Sequence, residues 1–396
     1  MADFHQSRFI STLHRLKSDC IDGLEKHLED LVHFRPVALV LPCLYRDVDK
    51  PPMIKIREEL KKVRYINEII ITMGDTNKEQ FLKAKEFFRD FPLNPKIIWN
   101  TGPNMHKLYE ILKENNFDVG DDGKGRSMWL AYGYVIANNS SSVIAIHDCD
   151  ISTYTNELLA RLCYPVVNRN LGYEFCKGYY ARFTNRLHGR VTRLFITPML
   201  RSLRMLVGDI PYLEYLDSFR YPLAGEFAMH RDLARSLRVL GNWGLEIGIL
   251  SEMYNNTVPK RICQVDLCEK YDHEHRKIPG LVKMSTDITK AIFRYLTIEG
   301  IQITTALFRT LQVNYLRIAR DIIERYEHDA LINGLKFDRH KESLAVESFV
   351  KSIGYAYKDF EKDPLSINLI SNWNRINSAL PEFFDILLEY VEKDNG

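Results

Sequence analysis

Two aspartates that follow a short apolar run are the strongest candidates for chemistry in this sequence. In the segment IAIHDCD, Asp148 and Asp150 come directly after residues typical of a buried β-strand. Ligands of open α/β sheets gather at the carboxyl ends of strands. Carboxylates two residues apart can hold a hard divalent cation and contact a ribose hydroxyl beside it. From this pair alone, a metal site and a turn with two solvated aspartates are near-even alternatives.

Three glycine-containing motifs supply further candidate residues. DDGKG opens a predicted helix and lets the backbone approach a ligand beside Lys124, but it lacks the pattern of a Walker A loop. Glu226 ends the motif PLAGE, and Glu246 lies within WGLEIG. A buried carboxylate needs a partner, which a sugar hydroxyl or an internal arginine can provide. Taken singly, each motif is also explained by a turn or a helix cap.

A basic stretch surrounds the motif GRVT, which contains Arg190 and Thr192. The other basic residues of this stretch are Arg182, Arg186, His188, Arg193, Arg201 and Arg204. Guanidinium groups match the geometry of carboxylates and phosphates, so the stretch can bind a small acidic substrate. A solvated helix face is the alternative for most of these arginines.

Two histidines, His273 and His275, follow the last predicted strand in the segment YDHEH. Either of them can supply an imidazole to a metal held by Asp150. Because surface histidines are commoner than metal ligands, this assignment needs support from the other motifs.

Short apolar strands that alternate with helices must position all these residues. The predicted strands cover residues 37–41, 68–72, 96–99, 143–146, 172–182 and 261–267. The predicted helices cover residues 7–34, 54–63, 78–89, 105–115, 124–138, 156–167 and most of 286–358. Continuous apolar strands between helices indicate a parallel sheet that is covered on both faces.

The composition of the 396-residue chain indicates a globular protein, with 45% hydrophobic and 27% charged residues. A formal net charge of +2 argues against a general nucleic-acid binder. No apolar run approaches the roughly 20 residues needed to span a bilayer, and the N-terminus lacks the pattern of a signal peptide. The seven cysteines include no Cys-x-x-Cys pair, which argues against a structural zinc site. We therefore expect a cytoplasmic protein with neither membrane nor nucleic acid as partner.

Taken in this order, the motifs resemble those of the retaining glucosyl-3-phosphoglycerate synthases, nucleotide-sugar glycosyltransferases with the GT-A fold. The resemblance runs from about residue 37 to residue 275. The motifs that carry it are GKG at 123–125, Asp-x-Asp at 148–150, GRVT at 189–192, PLAGE at 222–226 and WGLEIG at 243–248. Each motif is unspecific by itself, but five in one order with sensible spacing make a strong match.

The resemblance implies an α/β protein of GT-A type, with a Rossmann-like mixed sheet that is mainly parallel. We expect an N-terminal helix within residues 1–35, a catalytic domain over 36–285 and a helical C-terminal segment over 286–396. The catalytic domain would divide into a donor half, about 36–152, and an acceptor half, about 153–285.

The resemblance also implies a donor site and a metal site. Lys124 would contact the uridine and Asp148 the ribose, while Asp150 and His273 would hold a divalent metal, Mg²⁺ or Mn²⁺. His275 remains an alternative metal ligand. The other implied donor-binding residues are Pro42, Cys43, Leu44, Cys149 and Glu226.

An acceptor loop and a catalytic pair complete the implied site. Gly189, Arg190 and Thr192 would hold the phosphate or carboxylate of 3-phosphoglycerate, and Leu223 would line the sugar site beside them. Glu246 would hold glucose hydroxyls and, with Asp150, form the catalytic pair.

The implied reaction moves glucose from UDP-glucose to the 2-hydroxyl of D-3-phosphoglycerate with retention of configuration, in an enzyme that we expect to be a homodimer. No carboxylate is clearly placed as a covalent nucleophile, which favours attack on the front face of the sugar. Mannosyl transfer from GDP-mannose to the same acceptor is the nearest alternative. A nucleotide-sugar-binding regulator without turnover is the alternative of a different class.

Two loops depart from the family pattern. Tyr45-Arg46-Asp47 stands where the family usually has Asn-Glu-Glu, and Thr72-Met-Gly74 stands where it usually has Asp-Ser-Gly. These departures concern the specificity for the donor base more than the type of reaction.

Overall fold

A mixed β-sheet with helices on both faces forms the centre of the computed structural model, which describes residues 6, 9–17, 20–273, 278–364, 367 and 369–396. The strands of the described residues are β1 Ser11–Leu13, β2 Val37–Leu44, β3 Glu68–Gly74, β4 Lys96–Trp99, β5 Val143–Ile146, β6 Phe175–Tyr179, β7 Phe227–His230, β8 Val239–Leu240, β9 Ile262–Asp266 and β10 Leu369–Ile370. Eight of them form the main sheet in the order β1-β9-β6-β7-β5-β2-β3-β4. Strand β7 runs antiparallel to β5 and β6, and the other neighbouring pairs are parallel. The predicted mainly parallel mixed sheet is confirmed.

The helices that cover the sheet agree with the predicted alternation. They are α1 Ile21–Leu31, α2 Pro51–Leu60, α3 Lys78–Phe88, α4 Pro103–Glu114, α5 Lys124–Asn138, α6 Asn156–Val167, α7 Thr197–Val207, α8 Pro211–Asp217, α9 Arg231–Ser236, α10 Leu245–Asn256, α11 Ile278–Ile298, α12 Thr305–Ile332, α13 Arg339–Lys362, α14 Trp373–Ala379 and α15 Phe383–Asn395. None of the helices in the described part of the chain combines the length and hydropathy that crossing a bilayer requires.

The prediction of one long N-terminal helix over residues 7–34 is wrong in its first half. Residues Ser11–Leu13 instead form an edge strand that pairs with β9, and the helix begins at Ile21. The side chain of Thr12 is buried and accepts a hydrogen bond from the Gln264 amide at 2.9 Å. Pairing with a strand about 250 positions later cannot be inferred from local apolar spacing, which here is equally typical of a helix.

The C-terminal segment packs onto the helix that carries Lys124. The indole rings of Trp129 and Trp373 stack with centroids 4.1 Å apart, and a Cβ atom at Gly133 would lie 2.1 Å from the Trp373 ring. The side chain of Asn395 accepts from the backbone N–H of Ile97 and donates to its carbonyl, both at 2.9 Å. These last bonds cover the edge strand β4, whose backbone would otherwise be open to pairing with another chain.

Candidate active site

The Asp-x-Asp motif lies at the carboxyl end of β5, between β2 and β7 in the sheet. His273 follows β9 and brings its Nδ1 atom to 3.6 Å from Oδ1 of Asp150. Ligand atoms of Asp148, Asp150 and His273 all lie within 4.8 Å of one another. Two carboxylates and an imidazole, all partly exposed, are ligands that suit Mg²⁺ or Mn²⁺. The alternative ligand His275 lies outside the described residues.

Backbone hydrogen bonds join the two segments that carry these groups. The N–H of Ser152 donates to the carbonyl of Asp272 at 2.9 Å, and the N–H of Asp272 donates to Oγ1 of Thr153 at 3.1 Å. Because the bonded residues lie within three positions of Asp150 and His273 in the chain, they limit the separation of the two proposed metal ligands.

Lys124 is the first residue of α5 and reaches two carboxylates of the site. Its Nζ atom donates to Asp148 at 2.7 Å and to Glu246 at 3.2 Å. Burial by itself would lower the pKa of Lys124. The charges of Asp148 and Glu246 outweigh burial, so the pKa of Lys124 is raised. Burial by itself would likewise raise the pKa of Asp148. The ammonium of Lys124 outweighs burial, so the pKa of Asp148 is lowered. Lys124 and Asp148 are therefore both charged at neutral pH.

Gly225 allows the PLAGE loop to approach the Asp-x-Asp motif. A Cβ atom at this position would lie 2.4 Å from Oδ2 of Asp148, well inside contact distance. Since Lys124 already holds the other oxygen of Asp148, the carboxylate cannot move aside without breaking that ion pair.

A cavity of about 290 Å³ extends from Asp148 and His273 to the basic loop. Four basic residues of the GRVT region line it: Arg182, Arg186, His188 and Arg190. Leu281 and Met284 of α11 close the cavity on the C-terminal side. The structure thus brings Asp148 of the Asp-x-Asp motif and the predicted acceptor loop to one space, together with Thr192 and Leu223.

The acceptor loop is held by a residue that the motifs do not include. Gly189 adopts a φ of 70°, in the left-handed region that favours glycine, and the chain then enters a π-helical turn at Val191–Ile196. Glu342 of α13 is buried and accepts from Nε of Arg190 at 2.8 Å and from Nη2 of Arg193 at 3.0 Å. Since Glu342 binds Nε of Arg190, the terminal nitrogens of that guanidinium remain for a ligand in the cavity.

Not every arginine of the basic stretch belongs to the cavity. Arg204 forms ion pairs with Asp209 and Asp217, both at 2.8 Å, and lies on α7 away from the site. The alternative of a solvated helix face is therefore right for Arg204. Thr192, by contrast, lines the cavity with a buried hydroxyl that has no hydrogen-bond partner among the described residues.

The structure does not present Glu226 to a ligand, contrary to the expected role in donor binding. Its side chain is fully buried, and its carboxylate accepts from the hydroxyls of Tyr180 at 2.7 Å and Tyr271 at 2.6 Å. Burial and the charge of Asp148 raise the pKa of Glu226, while the two hydroxyls oppose them. Both oxygens thus have partners within the protein, and the side chain does not line the cavity.

The end of β2, the first of the predicted strands, offers mainly its backbone to a ligand. Pro42, Cys43 and Leu44 end β2 beside the Asp-x-Asp motif, and of these Leu44 is exposed. Cys43 and Cys149 are buried, and burial together with the Cys43 thiol raises the pKa of Cys149. The thiol of Cys149 therefore stays protonated at neutral pH, and both side chains contribute to packing.

Lys177 is a residue of the site that the sequence motifs missed. It lies in β6, is 1% exposed, and donates from Nζ to the carbonyl of Ala224 at 2.5 Å. Burial lowers the pKa of Lys177 to about 8, against the charges of Glu246 and Glu226. The available signal was a lysine inside a strand of otherwise apolar residues, which is unusual unless the charge is paired.

Comparison with curated proteins gives two relatives that span the whole chain. A glucosyl-3-phosphoglycerate synthase of Persephonella marina is 46% identical over 401 residues, which cover 100% of both chains. A glucosyl-3-phosphoglycerate synthase of Methanococcoides burtonii is 39% identical over 399 residues, which cover 98% of this chain and 96% of the relative. No protein-family model matches the chain.

Solved structures support the fold. A glucosyl-3-phosphoglycerate synthase of Mycobacterium tuberculosis, in complex with Mn²⁺, UDP-glucose and phosphoglyceric acid, matches with a TM-score of 0.56 at 23% identity, covering 75% of this chain and 90% of that one. A mannosyl-3-phosphoglycerate synthase of Rubrobacter xylanophilus matches with a TM-score of 0.55 at 24% identity, covering 71% and 80%. These neighbours are GT-A glycosyltransferases, so the predicted GT-A fold is confirmed. Given the two full-length relatives and this shared fold, the chain belongs to the glucosyl-3-phosphoglycerate synthase family.

Proposed function

We propose that the protein is a metal-dependent retaining glucosyltransferase that moves glucose from UDP-glucose to the 2-hydroxyl of D-3-phosphoglycerate. The observation that carries the proposal is the single cavity that joins Asp148 and His273 to the arginines of the acceptor loop. Metal-binding carboxylates suit the diphosphate of a nucleotide sugar, and arginines suit a small acidic acceptor. The solved glucosyl-3-phosphoglycerate synthase of Mycobacterium tuberculosis is in complex with Mn²⁺, UDP-glucose and phosphoglyceric acid.

Asp150 and His273 would hold the metal, with Asp148 between the metal and the ribose. When bound, the metal supplies positive charge to the oxygens of the departing diphosphate. Lys124 adds a fixed ammonium beside Asp148, and the backbone of residues 42–44, at the end of β2, would line the nucleotide.

The acceptor would lie against Gly189, Arg190 and Thr192, with Leu223 as an apolar wall towards the sugar. The guanidinium of Arg190 can donate two hydrogen bonds to a phosphate or carboxylate. The unpartnered hydroxyl of Thr192 can donate a third.

Glu246 would bind glucose hydroxyls rather than attack the sugar. Its carboxylate is already held by Lys124 at 3.2 Å, which orients it as a hydrogen-bond acceptor. Front-face attack is therefore the favoured route, in which an oxygen of the leaving diphosphate takes the proton of the acceptor hydroxyl. Positioning of the two substrates would account for much of the rate enhancement.

The proposal extends to a homodimer in the cytoplasm. All seven cysteines are free thiols, which fits a reducing compartment. Exposed apolar side chains on α12, those of Val313, Leu331 and Ile332, are suited to an interface with a second copy.

A donor panel tests the function. Purified protein with Mg²⁺ or Mn²⁺ and 3-phosphoglycerate should release UDP from UDP-glucose, and the product should be the α-anomer by NMR. The reaction without acceptor is the control. Preferential release of GDP from GDP-mannose would favour the mannosyl alternative, and the absence of turnover with every donor would favour the regulator.

We expect Gly225→Ala to weaken binding of UDP-glucose by about tenfold, equivalent to about 1.4 kcal/mol. The added methyl group would displace the Asp148 carboxylate, because the two would otherwise lie 2.4 Å apart. Calorimetry with UDP and metal measures the effect. Gly23→Ala is the control, since a Cβ atom there meets nothing within 4 Å. Equal donor affinities in both variants would contradict the placement of Asp148 at the donor.

A further inference from the structure

Glu226 joins two tyrosines from different parts of the chain. It accepts from the hydroxyl of Tyr180, just beyond β6, and from the hydroxyl of Tyr271, beyond β9. The two phenol rings stack face to face, with centroids 3.6 Å apart and 3° between their planes. Since all three side chains are buried, one carboxylate fixes both rings.

Tyr271 also contacts the proposed metal histidine directly. Its ring meets the imidazole of His273 edge to face, with centroids 5.5 Å apart and 65° between the planes. The backbone N–H of Tyr271 donates to the carbonyl of Ala181 at 3.1 Å. The Tyr271 ring is thus fixed by a hydrogen bond at its hydroxyl, by stacking on its face and by a backbone hydrogen bond. Because the imidazole of His273 packs against this ring, the ring sets the position of the imidazole.

We propose that Tyr271, fixed by Glu226, is a positioning residue that orients His273 for a divalent cation. The inference rests on the proposed function, because it takes His273 as a metal ligand. An imidazole that is already oriented loses less conformational entropy when it binds a cation. Groups that orient a ligand without touching the metal typically change metal affinity by about 10- to 100-fold.

The role thus inferred for Glu226 differs from direct contact with the donor. Its carboxylate does not line the cavity and is bound by two tyrosines, and its effect would reach the metal through the Tyr271 ring. This arrangement also explains why a charged side chain in the PLAGE loop is tolerated without exposure, since a buried carboxylate needs hydrogen-bond donors.

Binding of Mn²⁺ in the presence of UDP and the absence of acceptor tests the inference without turnover. We expect Tyr271→Phe to raise the Kd for Mn²⁺ about tenfold, measured by calorimetry. Tyr180→Phe is a matched control: it removes the other hydroxyl from the same carboxylate but leaves the contact of Tyr271 with His273 in place. Its Mn²⁺ affinity should stay near that of the wild type, and both variants should be compared at equal folded fraction.

A double-mutant comparison separates positioning from general stability. In a His273→Ala background, Tyr271→Phe should cause no further loss of Mn²⁺ affinity, because the group through which it acts is gone. The same loss in both backgrounds, or equal losses in Tyr271→Phe and Tyr180→Phe, would overturn the inference.

The proposed function and the inference fail in different ways. If His273→Ala weakens Mn²⁺ binding while Tyr271→Phe does not, the inference is overturned and the metal assignment stands. If His273→Ala leaves Mn²⁺ binding unchanged, both the metal assignment and the inference are overturned. Turnover of the wild type with the donor panel tests the proposed reaction independently of either result.

Discussion

Asp150→Ala should lower turnover of UDP-glucose with 3-phosphoglycerate by roughly a thousandfold or more. Asp150 faces His273 across 3.6 Å and completes the group of three potential ligands. Its loss would remove about 4 kcal/mol of charge stabilisation at the departing diphosphate, which corresponds to that factor. The fold should persist, because the side chain is partly exposed and serves no apolar packing. Release of UDP at saturating Mg²⁺ or Mn²⁺ is the measurement.

Asp217→Ala is the control for this variant. Asp217 is 22% exposed, close to the 30% of Asp150, but it pairs with Arg204 of α7, and neither residue lines the cavity. It should keep wild-type turnover after correction for folded fraction. Wild-type turnover of Asp150→Ala at saturating metal would show that the metal is held elsewhere.

Arg190→Lys should weaken binding of 3-phosphoglycerate by roughly ten- to hundredfold, with little change in affinity for UDP. Hydrogen bonds to charged groups contribute about 1.5–3 kcal/mol, and lysine cannot reproduce the two-pronged contact of a guanidinium. The structure adds a second reason, because Nε of Arg190 donates to Glu342 at 2.8 Å. The single ammonium of a lysine could bind Glu342 or the ligand, but not both in the same geometry. Calorimetric titration of acceptor, with UDP and metal present, measures the loss.

Arg238→Lys provides a matched control, because Arg238 also binds a buried glutamate, Glu252, at 2.7 Å but lies outside the cavity. It should affect stability more than acceptor affinity. If Arg190→Lys instead reduced the affinity for UDP, the loop would belong to the nucleotide. If neither affinity changed, Arg190 would serve only to hold the loop through Glu342.

Local sequence pattern was sufficient for much of the scaffold. The strand Val143–Ile146 and the helices Lys124–Asn138 and Asn156–Val167 have the predicted bounds, because apolar periodicity and flanking polar residues define them within a few positions. The edge strand Ser11–Leu13 was missed for the opposite reason. Its hydrogen bonds go to β9, and nothing in the neighbouring residues indicates that pairing.

The sequence by itself determined which residue types could do chemistry and, through the order of the motifs, the family. Only the tertiary structure decided what each carboxylate contacts. It places Asp148 on Lys124, buries Glu226 between two tyrosines, and brings Glu342 to Arg190 across 152 residues of chain. Burial and long-range ion pairs depend on how distant elements pack, whereas a motif reports only its own neighbours. For that reason the motifs supplied candidate residues, but the structure added Lys177 and Glu342 and separated the residues that face the cavity from those that hold them in place.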